Sequence, residues 1–249
     1  MQILLACAKI MNAQTSTQVP CTSRPHFEAE AERFALEVSQ WDVEEVRNAL
    51  NCSPQLAAEN LLRYQSFREE NEKMPAILAY FGQAYKHLKA AEFSADDFRF
   101  AQEHLFITSF LYGLLRPLDL IHPYRMEGKV KLEATEERTM FDFWKPRLTE
   151  ELIRAVQSDD GILLHLATKE MEHLFDWKRV KKEVHVIQPT FYIEKNGRMV
   201  SPAMYAKSCR GAMTREIIKQ AGNLSQFPAE GESVEAFLQR IQDDLDIQL

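Results

Sequence analysis

Cysteine is scarce in this 249-residue chain. Cys7, Cys21, Cys52 and Cys209 stand far apart, and no two form a Cys-x-x-Cys pair. This excludes a thiolate metal clip and argues against a disulfide framework, leaving reduced thiols in a cytoplasmic setting as the simplest account. No run of about 18 apolar residues occurs, so no membrane span is expected. Leu4 to Cys7 has the shape of a lipoprotein cleavage box, but only three residues precede it and none is basic. Phosphate-binding loops, a Gly-x-Gly-x-x-Gly fingerprint and a serine elbow are all missing. His104, His122, His165, His173 and His185 are scattered without ligand spacing, so neither a resident metal nor a cofactor is expected. Overall basicity is lacking too, with a net charge of −7.

What is present describes a globular α/β protein. Hydrophobic residues make up 45% and charged residues 27%, and 15 Phe and 3 Trp supply large core side chains. No linker marks a boundary, so one domain over 1–249 is expected, with 229–249 as an acidic helical extension. The charge is unevenly spread. Lys178 to Lys219 carries ten Lys or Arg against three acids, whereas the last thirty residues hold one Arg and six acids. A basic segment inside an acidic protein suits anion binding, because the local field outweighs the global sum. Cations simply facing solvent are the plainer reading.

Strands are expected at Ile3–Ala8 and Ile162–Ala167, two continuous apolar runs, and at 184–192. Asn196-Gly197 signals a hairpin. Helical spacing fills 26–92, with Ser53-Pro54 as a start and Gly82 as an interruption. Ser94-Ala95-Asp96-Asp97 caps a helix expected to run to Leu111. Further helices are expected at 214–220 and 232–245. Strands so far apart in sequence meet in one central mixed sheet surrounded by helices.

Two stretches stand out chemically. LYGLLRPLDLIHPYR at 111–125 combines Gly113, two prolines, Arg116, Asp119, Tyr112, Tyr124 and Arg125. The prolines stiffen a loop that presents guanidiniums and phenols. It is either a ligand-holding loop or a packed connector in which Asp119 pairs with an arginine. The second stretch, Tyr205 to Arg215, carries Lys207, Arg210, Gly211 and Arg215. As one helix it puts Arg210 on the apolar side with Met213 and Ile217, which is costly unless a cleft lies there. With a helix starting near Gly211, Lys207 and Arg210 flank free amides. Two solvated surface cations remain the plain alternative.

The 111–125 run is very similar to the most distinctive motif of the YaaA family of bacterial peroxide-stress proteins. Ala8-Lys9, Ser94-x-Asp96-Asp97-Phe98, Phe143-Trp144, Leu166-Ala167, Asn196-Gly197, Tyr205-Ala206-Lys207 and Arg210-Gly211 fit the same family. The resemblance spans residue 1 to about 228. The chain departs from the pattern at Ala6-Cys7, at Phe110 and at His165. The resemblance implies an α/β fold with a basic cleft and a helix-hairpin-helix element near Ser109–Leu115. It implies DNA binding and a role in limiting iron-driven DNA damage under hydrogen peroxide. The expected anion or nucleic-acid site comprises Lys9, Gly113, Arg116, Arg125, Lys207, Arg210, Gly211 and Arg215. The alternative is an enzyme acting on a small anionic metabolite in the same cleft, with Lys9, Tyr112, Asp119, Tyr124 and Glu127 as candidates for nucleophile or proton transfer.

Overall fold

The computed structural model describes residues 1–222 and 232–243. Strand β1 (Gln2–Leu5) is followed by helices α1 (Glu28–Val38), α2 (Val43–Leu50) and α3 (Pro54–Gln65). A short strand β2 (Met74–Pro75) leads into α4 (Ala76–Ala79) and α5 (Gln83–Leu88). Helix α6 (Ala95–His104) runs directly into β3 (Leu105–Ser109), and β4 (Gly113–Leu115) and β5 (Leu120–Ile121) follow. Next come α7 (Met140–Ser158), β6 (Ile162–His165), α8 (Lys169–Glu172), α9 (Trp177–Glu183) and β7 (His185–Ile187). The hairpin β8 (Ile193–Lys195) and β9 (Arg198–Val200) precedes α10 (Ala203–Ala221) and α11 (Val234–Asp243).

The central sheet is mixed, in the order β4-β3-β1-β6-β7. Strand β1 is parallel to both β3 and β6, with Ile3 opposite Leu105 on one side and Leu164 on the other. Strand β7 continues the parallel set beside β6, and β4 returns antiparallel on β3. Every residue of β1 and β3 is buried. Their uninterrupted apolar sequence therefore serves two covered faces, as parallel strands require. Helices α7 and α9 pack together, and α10 lies against α5, α6 and α11.

From β1 the chain crosses to β3 on one side; from β3 it crosses over β1 to β6 on the other. The connections leaving β1 and β6 thus diverge, and this reversal opens a crevice at the carboxyl ends of the strands.

Local signals explain several boundaries. Ser94 and Asp97 form a capping box at the start of α6, and Ser53 caps α3 with Pro54 in its first turn. Other expectations are corrected. The helix expected to reach Leu111 ends at His104, because Leu105 to Ser109 are all buried, Leu105 to Ile107 pairing with β1 and Ile107 to Ser109 with β4. Residues 109–115 form a β-hairpin, not a helical one. Ser109 faces Gly113, and Gly113 adopts φ +73°, where a β-carbon would come within 2.9–3.1 Å of Leu148, Trp144 and Phe27. The Ser109 hydroxyl accepts the Tyr112 amide at 2.8 Å, and the Trp144 indole donates to the Phe110 carbonyl at 2.8 Å. The strand expected at 184–192 is only the three residues of β7. The 205–215 stretch lies within the single helix α10, so no helix begins near Gly211. Of the acidic extension, 229–231 and 244–249 lie outside the described residues; α11 packs on α10. No described helix is long and apolar enough to cross a membrane.

Candidate functional site

The crevice at the β1/β6 reversal has a volume of about 440 Å3. Its floor is the segment leaving β1, Ala6 to Ile10, with Leu166 and Thr168 from the end of β6 and Phe110 from the end of β3. Its walls are Phe81 to Lys86, Tyr124 to Met126, and Met204, Lys207 and Arg210 of α10. Five cations border it: Lys9, Lys86, Arg125, Lys207 and Arg210.

Their electrostatic states differ. The Lys9 ammonium donates to both Glu127 carboxylate oxygens at 2.8 Å, and Arg125 reaches Glu127 at 3.1 Å. Glu127 therefore ties together two cations from opposite ends of the chain's first half. The Arg125 Nε is buried and has no partner among the described residues. On α10, Lys207 is exposed, and no partner for its ammonium or for the Arg210 guanidinium occurs among the described residues. Arg210 is partly buried, and that burial lowers its pKa, partly offset by Cys209. A half-buried guanidinium without a carboxylate is costly unless an anion meets it.

The floor is chemically quiet. Burial first, then the charge of Glu170, pushes the Cys7 thiol up to about 12, so it stays protonated and is a poor nucleophile. The Tyr124 hydroxyl lies 2.7 Å from that of Tyr80 and 2.6 Å from Ser109 Oγ, and burial holds its pKa well above the ordinary phenol value. His165, at the end of β6, stacks obliquely on Trp177 and lies 3.2 Å from Glu172. Burial lowers its pKa against the pull of Glu172, and nearby Arg210 pushes the same way as burial.

The crevice thus brings together Lys9, Arg125, Lys207 and Arg210, with Tyr124 in its wall and Glu127 bound to two of the cations. The other expected residues lie elsewhere. Arg116 sits at the opposite end of the sheet. Its guanidinium donates to Gln2 Oε1 at 3.0 Å and to the carbonyls of Glu103 and Leu105, 3.5 Å above the Phe106 ring centroid. Asp119 is buried, accepts from the Ser23 hydroxyl at 2.7 Å and caps the Arg116 amide at 2.8 Å. That half of the 111–125 run is a packed connector, with Asp119 meeting the Arg116 backbone amide rather than a guanidinium. Arg215 binds Glu92 at 2.7 Å and the carbonyls of Leu88 and Lys89. Gly113 opens β4 at positive φ, and Gly211 is where α10 touches α5. Tyr112 borders a different cavity of about 540 Å3, with Glu28, Arg33, Tyr64 and His122.

Sequence reasoning missed Lys86, Phe81, Thr168 and Glu170. The available signal was positional: residues just past the ends of buried parallel strands line such crevices. Among the described residues, no group of three or more His, Cys, Asp or Glu is placed to hold a metal ion.

Residues 1–231 match the family described as peroxide stress protein YaaA. The chain belongs to this family. Membership in the YaaA family supports a role in the response to peroxide stress. A UPF0246 protein of Bacteroides fragilis is 50% identical over 220 residues, covering 88% of this chain and 86% of that protein. A UPF0246 protein of Phocaeicola vulgatus is 46% identical over 241 residues, covering 95% and 94%. One from Porphyromonas gingivalis is 44% identical over 240 residues, covering 93% of each.

Proposed function

We propose that this YaaA-family protein serves the peroxide-stress response by binding nucleic-acid phosphates in the crevice at the β1/β6 reversal. In this reading it shields DNA from iron-driven damage by a contact that does not read base sequence. The observation that carries it is the pair Lys207 and Arg210, two cations on one face of α10 with no carboxylate partner among the described residues, bordering the same crevice as Lys9 and Arg125. Phosphate contacts position a nucleic acid without specifying its sequence. A crevice of about 440 Å3 is too small to take in a duplex, so a strand would engage it through a phosphate of an exposed segment.

The same volume favours a second reading, an enzyme acting on a small anionic metabolite. Lys9 and Glu127 are then the candidate proton-transfer pair, since the Cys7 thiol and the Tyr124 phenol are both held protonated by burial.

Fluorescence anisotropy with a labelled single-stranded oligonucleotide, titrated over a range of salt, separates the two. Phosphate binding to a strand gives a fall in log affinity of about 0.7 per contact for each decade of salt. Absence of strand binding, together with tight binding of a small phosphate or carboxylate, selects the enzyme instead.

A further inference from the structure

Nine large apolar side chains are exposed among the described residues, and three of them border the crevice at the β1/β6 reversal. Ile10 is 63% exposed, Phe81 41% and Met204 60%. They come from three separate places: the segment after β1, the junction of α4 and α5, and the first turn of α10. Two are locked to each other, since the Phe81 amide donates to the Ile10 carbonyl at 2.8 Å beside a bridge between Met11 and Tyr80. The Lys86 ammonium lies 5.0 Å from the centroid of the Phe81 ring. Exposed apolar surface gathered at a charged pocket marks a place where a ligand covers it. An aromatic ring set beside a track of cations is how single-stranded nucleic acids are held without sequence preference.

We infer that the crevice takes an unpaired nucleotide, with its phosphate on Lys207, Arg210 and Arg125 and its base against the rim of Phe81, Ile10 and Met204. This rests on the phosphate-binding reading and adds the second half of the occupant. Charge complementarity selects an anion. The rim selects one that carries a planar apolar face. A duplex keeps its base faces stacked inward and cannot offer one, and a bare phosphate leaves the rim wet.

The test compares two labelled oligonucleotides of equal length, one of thymidines and one in which every base is replaced by an abasic site. Each is titrated with the full chain at low salt. One stacked base is expected to make the thymidine strand bind about tenfold more tightly. Phe81→Ala is expected to bring its affinity down toward that of the abasic strand. Met204→Ala, on another element, reads the same difference should the Phe81 variant fail to fold. Lys207→Ala is expected to weaken both strands together. Equal wild-type affinity for the two strands, both weakened by Lys207→Ala, overturns the stacked base and leaves the phosphate reading standing. Binding of neither strand overturns both. A duplex bound more tightly than either strand also overturns the stacked base.

Discussion

Gly211 of α10 lies directly on the carbonyl of Ala84 in α5, so close that a β-carbon built at 211 comes within 1.8 Å of that oxygen. The contact sets the distance between the two helices that form one wall of the crevice and places Lys207 and Arg210 over its mouth. Gly211→Ala must force the helices apart. Overpacking of this kind costs about 1–3 kcal/mol, measurable as a lowered urea midpoint. Because α10 carries Lys207 and Arg210, which have no partner among the described residues, oligonucleotide affinity should fall in the same variant while it is still folded.

Lys207→Ala and Arg210→Ala each remove one unpaired cation from the crevice. Each should weaken strand binding and reduce the slope of log affinity against log salt by about 0.7. The change is uniform across base sequences if the contacts are to phosphate. A slope unaltered in both variants would remove the crevice from the binding account.

Glu127 pairs with both Lys9 and Arg125, its single negative charge offsetting part of their two positive ones. Glu127→Gln frees both cations while preserving the shape of the side chain. Anion affinity should rise several-fold at low salt, and the gain should shrink as salt is added. If proton transfer by Glu127 is instead the purpose of the site, the same variant binds a small anion and fails to turn it over.

Arg116→Ala distinguishes a structural cation from a binding one. Its guanidinium is committed to Gln2 and two backbone carbonyls at the far end of the sheet. Losing these charge-assisted bonds should cost about 2–3 kcal/mol of stability, read by denaturant unfolding. Strand affinity of the folded fraction should match wild type.

His122 is buried, with both ring nitrogens lacking a partner among the described residues. Burial lowers its pKa, Lys73 lowers it further, and Glu70, Glu72 and Glu28 oppose the shift. The folded state therefore binds fewer protons than the unfolded one in the window between its depressed value and the ordinary imidazole value of about 6.5. Stability should be fully present above that pH and decline as pH falls toward the depressed folded value. His165, also lowered, adds to the same slope. His122→Phe should flatten the decline in urea midpoint between about pH 7 and pH 5. An identical slope in the variant would assign the effect to other groups.

Much of the scaffold was legible locally. Ile3 to Ala8 and Ile162 to Ala167 read as buried strands because two covered faces demand an unbroken apolar run, although the strands themselves end at Leu5 and His165. Ser53 and Ser94 announced helix starts because their hydroxyls satisfy amides a few residues away. Leu105 to Ser109 misled, since the helical spacing of Phe98, Ala101 and Leu105 runs on into it and only pairing with β1 makes it a strand.

The amino-acid sequence alone determined which segments are apolar, where helices begin and that cations cluster between Lys178 and Lys219. It also carried the family likeness, because that likeness lives in short runs of residues. Only the tertiary structure decided which cations are free. Arg116, Arg215 and Arg210 are the same residue type, yet Arg116 is held by Gln2 and two backbone carbonyls and Arg215 by Glu92 and two backbone carbonyls, while Arg210 faces a crevice. Charge is a property of a side chain, whereas its neutralisation depends on partners that the fold brings from far along the chain, as Glu127 is brought to Lys9.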